Sequence, residues 1–129
     1  MKVTCNGCFD GLHPGHMFFL GYCLAQGDEL VVGINSDIYI MRKKRPKPFY
    51  AQEERKQQLL DLGFVSKVVI FGEDNPISFI EAERPHIHCT GAEYIDSCVE
   101  AETVMSVGAD LVFVPRVGKW ASSNAKIDI

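Results

Sequence analysis

The stretch Gly7-Cys8-Phe9-Asp10-Gly11-Leu12-His13-Pro14-Gly15-His16 follows a short β-favouring run, Val3-Thr4-Cys5, and leads into an apolar pattern of helical period. It sets two histidines three apart, with a glycine between them and a glycine-rich run before them. A strand, a tight turn and a helix N-terminus in that order make an anion site. The unpaired N–H groups of the first helical turn and the helix dipole point at the same place. Two imidazoles there can donate to phosphate oxygens, so the stretch predicts phosphate chemistry.

Outward from it, β-rich runs alternate with helical ones. Val3 to Gly7 reads as the first strand. Pro14 to Gly27 reads as a helix with Met17, Leu20, Cys23 and Leu24 on one face. Phe18 and Tyr22 widen that stripe, and the Phe18/Phe19 pair suggests cover by a second copy. Glu29 to Asn35 is nearly continuous in apolar residues, as a central parallel strand is. Ser36 and Asp37 suit the cap of a short helix ending in the basic run Arg42-Lys43-Lys44-Arg45. Pro46 and Pro48 place Lys44 to Tyr50 in a loop.

A helix is expected over Ala51 to Gly63, with Leu59, Leu60 and Leu62 facing inward, then a strand over Lys67 to Phe71. Next come a helix over Pro76 to Arg84, a strand over His86 to Thr90 ended by Gly91, a helix over Ile95 to Val107, and a strand over Asp110 to Val114. Ser122, Ser123 and Asn124 suit the cap of a last helical turn. The order predicts a Rossmann-like, doubly wound α/β fold: a five-stranded parallel sheet with helices on both faces and its ligand at the carboxyl ends of the strands.

With 129 residues the chain fits one domain, residues 1–129. A net charge of −4 argues against a nucleic-acid partner. No apolar run is long enough to span a bilayer, and no signal peptide precedes the first strand. Five scattered cysteines are expected to be reduced thiols of a cytoplasmic protein. No Walker-type lysine loop and no Gly-x-Gly-x-x-Gly is present, which disfavours kinases and ordinary dehydrogenases.

Taken in order, Gly7-Cys8-Phe9-Asp10, His13-Pro14-Gly15-His16, Asn35-Ser36-Asp37, Glu54-Arg55, Gly91-Ala92-Glu93-Tyr94 and Ser122-Ser123-Asn124 resemble the nucleotidyltransferase superfamily marked by His-x-Gly-His. Within it the chain is most similar to the cytidylyltransferase-like group, which includes glycerol-3-phosphate cytidylyltransferase and the adenylyltransferase that activates heptose 1-phosphate. The second half leans to the latter through Arg45-Pro46, Glu73-Asp74-Asn75-Pro76 and Gly91 to Tyr94. The resemblance implies transfer of AMP or CMP from ATP or CTP to a phosphorylated sugar or polyol, with release of pyrophosphate. It also implies Mg²⁺ carried with the triphosphate, no covalent intermediate, and a homodimer. The heptose activity is often fused to a sugar kinase. No kinase half is present in these 129 residues, so a stand-alone version is expected.

The resemblance assigns roles residue by residue. His13 and His16 would hold triphosphate oxygens, and Gly15 would let the backbone come close. Backbone N–H groups of Cys8, Phe9 and Asp10 would bind phosphate oxygens. Lys43 or Lys44 would fold over the triphosphate. Arg55 reads either as a residue near the phosphates or as a helix-surface arginine. Gly91 and Glu93 would lie near the nucleoside, and Arg116, Ser122 and Ser123 would meet phosphate. Trp120 departs from the small or polar residue usual there, as a lid or a dimer contact.

Several alternatives stay open. The His-Pro-Gly-His form also occurs in FAD synthetases of the archaeal type. Cys5-x-x-Cys8 could serve a redox site or, with His13 and His16, a compact zinc module. A nucleotide-binding sensor without turnover is the remaining reading.

Overall fold

The computed structural model describes residues 1–115. Among them five strands form one parallel sheet: β1 (Lys2–Gly7), β2 (Glu29–Asn35), β3 (Lys67–Phe71), β4 (Ile87–Gly91) and β5 (Asp110–Val114), in the spatial order β3-β2-β1-β4-β5. The chain winds outward from β1 through β2 to β3, then crosses back to β4. Neighbouring connections therefore leave β1 and β4 in opposite directions and open a crevice at their carboxyl ends. The doubly wound architecture expected from the sequence is the one found.

Alternation along the strands assigns the two layers. Val3, Cys5, Leu30, Val32 and Ile34 face α1 (Pro14–Ala25) and α3 (Gln52–Leu60), meeting Phe19, Leu20, Cys23 and Leu59. Val31 and Phe71 face the other way, where α4 (Ile77–Glu83) and α5 (Ala101–Ser106) supply Phe79, Ile80 and Val104. Strand β2 is thus covered on both faces, which is why its sequence is apolar without alternation. A fifth helix, α2 (Asp37–Lys43), carries the basic run away from the end of β2 and is capped by Ser36 Oγ, which accepts from Tyr39 N at 3.3 Å.

The boundaries differ from expectation in instructive places. The inward stripe of α1 is His16, Phe19, Leu20 and Cys23; Met17 is exposed and Leu24 half-buried. The stripe is set one residue earlier than expected because His16, a polar residue, belongs to the buried face. Phe19 is buried in the chain's own core, and Phe18 and Tyr22 pack half-buried against it. Helix α3 stops at Leu60, and Leu62 packs on the core from the turn beyond it, where Gly63 adopts φ +87°. The helix expected over Ile95 to Val107 is reduced to α5, preceded by a 3₁₀ turn at Ala92–Tyr94. Ile95 and Val99 are exposed, so no apolar face exists there to hold a longer helix on the sheet. Arg116, Trp120, Ser122, Ser123 and the expected last helical turn lie outside the described residues.

Gly33, in the middle of β2, makes room for helix α4. A Cβ there would stand 2.9 Å from ring carbons of Phe79. Gly33→Ala is expected to lower stability by about 1–3 kcal/mol through overpacking. The check is a urea titration, read as a lower midpoint at unchanged slope. A wild-type midpoint would mean that α4 does not press on the sheet.

Candidate active site

A cleft of about 230 Å³ opens at the carboxyl ends of the strands. Its floor is the end of β1 (Asn6, Gly7, Cys8) and the end of β4 (Thr90, Gly91), with Asn35 of β2 beside them. Lys44, Asp74 and Asn75 stand on one side, and Tyr94, Ser97 and Glu100 on the other. The cleft occupies the topological switch point, the place where open parallel sheets bind ligands.

Next to this cleft, helix α1 begins in an unusual cap. His13 is the N-cap residue (φ −137°, ψ 173°), and its Nδ1 accepts from the backbone N–H of Gly15 at 3.0 Å. The Nδ1 of His16 accepts in turn from the backbone N–H of His13 at 3.2 Å. Two imidazoles thus make the reciprocal capping box usually built from a hydroxyl and a glutamate. An Nδ1 that accepts carries no proton, so each neutral ring holds its proton on Nε2 and presents a donor there. The rings lie 3.8 Å apart between centroids, and Gly15 is buried under them in the first helical turn.

The turn before the helix is held under strain. Phe9 has φ +49°, a left-handed conformation that costs a bulky residue on the order of 1–2 kcal/mol. Its fully buried ring, 5.4 Å from His16 and 6.4 Å from Phe19, offsets that cost. The carboxylate of Asp10 accepts from Arg45 Nη1 at 2.6 Å and from the backbone N–H groups of Phe49 and Tyr50 at 2.8 Å each. It therefore straps the basic loop to the turn. The Arg45 guanidinium also lies 4.6 Å over the Phe49 ring.

Arg55 is not a helix-surface arginine, and its guanidinium does not line the cleft. It is fully buried. Its Nε donates to Tyr50 O at 3.0 Å, its Nη1 to Cys8 O at 3.0 Å and Asn35 O at 2.6 Å, and its Nη2 to Asp37 Oδ1 at 2.8 Å. The reading as a phosphate ligand is corrected to that of a strut beneath the site, because its donors already point at these acceptors. The sequence did carry a signal: Arg55 lies four residues before Leu59, on the same helical face.

The two candidate lysines separate. Lys43 Nζ lies 3.6 Å from Asp74 Oδ2, beside the 2.5 Å ion pair between Arg42 and the same carboxylate. Lys44 lines the cleft. Glu93 folds back over Gly91, where a Cβ would collide with its carboxyl group. Both Glu93 carboxylate oxygens are buried and make no hydrogen bond among the described residues.

Sequence reasoning missed Glu100. It is 6% exposed and lines the cleft. Its Oε1 accepts from Cys98 Sγ at 2.7 Å, and its Oε2 faces His88 Nε2 at 3.7 Å, an ion-pair separation rather than a hydrogen bond. Burial pushes the Glu100 carboxyl up, but the His88 ring and the Cys98 thiol opposite it prevail and hold it below the usual carboxylate value. The available signal was His88 itself, an imidazole inside an otherwise apolar strand.

The zinc and redox alternatives do not assemble. Cys5 is fully buried and meets Cys23 in the core, where burial and then Cys5 and Cys89 push the Cys23 thiol well above its usual value. Cys8 turns to Asn35 Oδ1 at 3.6 Å. Among the described residues no three His, Cys, Asp or Glu side chains converge as metal ligands.

A cleft so placed, beside a helix start capped by two imidazoles, is the ligand-binding arrangement of a doubly wound α/β domain. The chain belongs to the cytidylyltransferase-like family, whose model matches residues 4–121. The bifunctional protein HldE of Paramagnetospirillum magneticum is 41% identical over 121 residues, covering 92% of this chain and 25% of that protein. HldE of Helicobacter pylori J99 is 47% identical over 95 residues, covering 73% of this chain and 20% of that protein. The chain spans about a quarter of the length of the curated relatives it matches. Among solved structures, the lipopolysaccharide core biosynthesis protein of Thermoplasma volcanium superimposes with a TM-score of 0.72 at 25% identity, covering 89% of this chain and 94% of that one. Pantothenate synthetase of Thermus thermophilus shares the fold, at TM-score 0.63 and 14% identity, covering 91% of this chain and 56% of that one. No helix among the described residues is long and apolar enough to cross a membrane.

Two predictions test this geometry. Arg55→Met leaves the Asp37 carboxylate and three carbonyls short of a donor and is expected to cost about 3–5 kcal/mol in denaturant unfolding. An unchanged unfolding midpoint would return Arg55 to a ligand role. The Cys98 thiol is pushed up to about 12 by burial and then by Glu100. Its alkylation by iodoacetamide at pH 8 should therefore run at least about tenfold slower than that of a free cysteine. Glu100→Gln should accelerate it.

Proposed function

We propose that this chain transfers AMP from ATP to the phosphate of a phosphorylated sugar of the heptose 1-phosphate class, releasing pyrophosphate. A phosphate oxygen of the acceptor attacks the α-phosphorus, and the bond from that phosphorus to the α,β-bridging oxygen breaks. The attacking oxygen is already anionic, so no general base is needed. Catalysis then rests on positioning and on donors aimed at the charge that develops. The observation that supports this reading is the double-histidine cap at the start of α1, where both Nδ1 atoms accept from the backbone directly after the Cys8 turn that lines the switch-point cleft.

In this reading the Nε2 donors of His13 and His16 and the turn N–H groups of Cys8, Phe9 and Asp10 take phosphate oxygens. Lys44 rather than Lys43 reaches the triphosphate from the cleft wall. Gly91 and the carboxylate of Glu93 lie on the nucleoside side, and Arg116, Ser122 and Ser123 keep the phosphate role their resemblance implies. Mg²⁺ enters as the partner of the triphosphate, held mainly by phosphate oxygens, as is usual for that ion. Identity near 40% to the HldE proteins favours adenylyl over cytidylyl transfer and a sugar phosphate over a polyol phosphate.

The test is pyrophosphate release from ATP and heptose 1-phosphate, with CTP and glycerol 3-phosphate as the rival pair. His16→Asn keeps a short acceptor near the His13 N–H but removes the ring donor. It is expected to fold and to lose about 10²–10³ in rate. Lys44→Ala should raise the KM for ATP while Lys43→Ala leaves it near wild type. Wild-type turnover in His16→Asn would sink the reading.

A further inference from the structure

On the wall of the cleft away from Lys44, a chain of buried polar groups runs through the sheet. Thr4 Oγ1 of β1 lies 2.7 Å from His88 Nδ1 of β4, and both residues are fully buried. The opposite ring atom, His88 Nε2, is buried and meets no hydrogen-bond acceptor among the described residues. It faces Glu100 Oε2 at 3.7 Å, a gap that a shift of under about 1 Å would bring to hydrogen-bond length. Glu100 Oε1 holds the Cys98 thiol at 2.7 Å. The end of this chain that reaches the cleft is therefore a carboxylate held on one oxygen by the Cys98 thiol and faced on the other by the His88 ring.

Buried ionic groups are a poor source of stability, since apolar side chains of like volume do as well or better. A carboxylate also repels phosphate. The other acidic group in the lining beside Lys44, Asp74, is paired with Arg42 and Lys43, so the phosphates of any ligand are driven toward Lys44 and the α1 start, and the part brought against Glu100 is uncharged. A carboxylate only accepts, and its strongest neutral partners are hydroxyl groups, which make short charge-assisted hydrogen bonds. Thr90 and Ser97 on the same side of the cleft suit the same partner.

We propose that Glu100 accepts hydrogen bonds from the hydroxyl groups of a sugar bound in the cleft, and that His88 is the positioning residue that holds its carboxylate in place from strand β4. The inference rests on the nucleotidyl-transfer reading above and adds the sugar contact to it. The ribose of the nucleotide and the acceptor sugar offer the same chemistry, and the experiment separates them.

Calorimetric titrations of whichever of ATP or CTP the wild type binds, and of its 2′,3′-dideoxy form, each with Mg²⁺, are compared for wild type, Glu100→Gln and His88→Gln. The KM for heptose 1-phosphate is measured in turnover alongside. Loss of the ribose contact shows as about tenfold or more weaker binding of the ribonucleotide in Glu100→Gln with the dideoxy form unchanged. An acceptor contact shows as unchanged affinity for both nucleotides and a KM for the sugar phosphate raised about tenfold. His88→Gln should move the same quantity in the same direction by less, with kcat held. Should Glu100→Gln fail to fold, Glu100→Asp keeps the charge, withdraws the carboxylate by one methylene and is expected to show the same pattern at smaller size. Values within twofold of wild type throughout, or equal weakening of ribo and dideoxy forms with the sugar KM unchanged, overturn the inference alone. Wild-type protein that binds neither ATP nor CTP overturns the reading beneath it, and this inference with it.

Discussion

The guanidinium of Arg55 is the contact on which the geometry of the cleft depends. One planar group, buried on all sides, joins the end of β1 at Cys8, the end of β2 at Asn35, the start of α2 at Asp37 and the end of the basic loop at Tyr50. The β1 end, the β2–α2 junction and the basic loop are remote in sequence, and each presents a carbonyl or carboxylate that Arg55 supplies with a donor. Arginine suits the position because its fork supplies several donors in fixed directions, where a lysine supplies a single point charge. Asp10 extends the arrangement on the other side of Tyr50, tying the basic loop to the turn through Arg45, Phe49 and Tyr50.

Held in this way, the turn can carry strain. Phe9 sits at positive φ because its ring is locked between His16 and Phe19, and the next residues are thereby directed into the start of α1. There the ordinary demand that a helix cap its first N–H groups selects the chemistry of the site. Each histidine spends Nδ1 on the backbone, so the tautomer that donates from Nε2 is fixed by local structure rather than by a distant carboxylate. The imidazoles that cap the helix are those whose remaining nitrogens point away from it.

Much of the fold was legible in the residues. Strand β2 announced itself by an unbroken apolar run, because both its faces are covered. The helix start at His13 was marked by Pro14 at the first helical position and by the glycine-rich turn before it. What misled was the segment between β4 and β5. Its periodicity suggested one helix over Ile95 to Val107, yet Ile95 and Val99 face solvent and only Ala101–Ser106 is helical. Periodicity reports a stripe, and a stripe forms a stable helix only where another surface covers it.

The sequence by itself determined the alternation of strands and helices, the family pattern and the position of the histidine-capped helix start. Those features are local: they follow from propensity, capping and spacing within a dozen residues. Only the tertiary structure decided that Arg55 is a strut, that Lys44 rather than Lys43 enters the cleft wall, that Cys5 joins Cys23 instead of Cys8, and that His88 and Glu100 meet. Each of those depends on which side chains burial brings together across the sheet. Partners tens of residues apart leave no periodic trace, because the hydrogen bonds that pair them are set by the crossing of strands and not by the order of the chain.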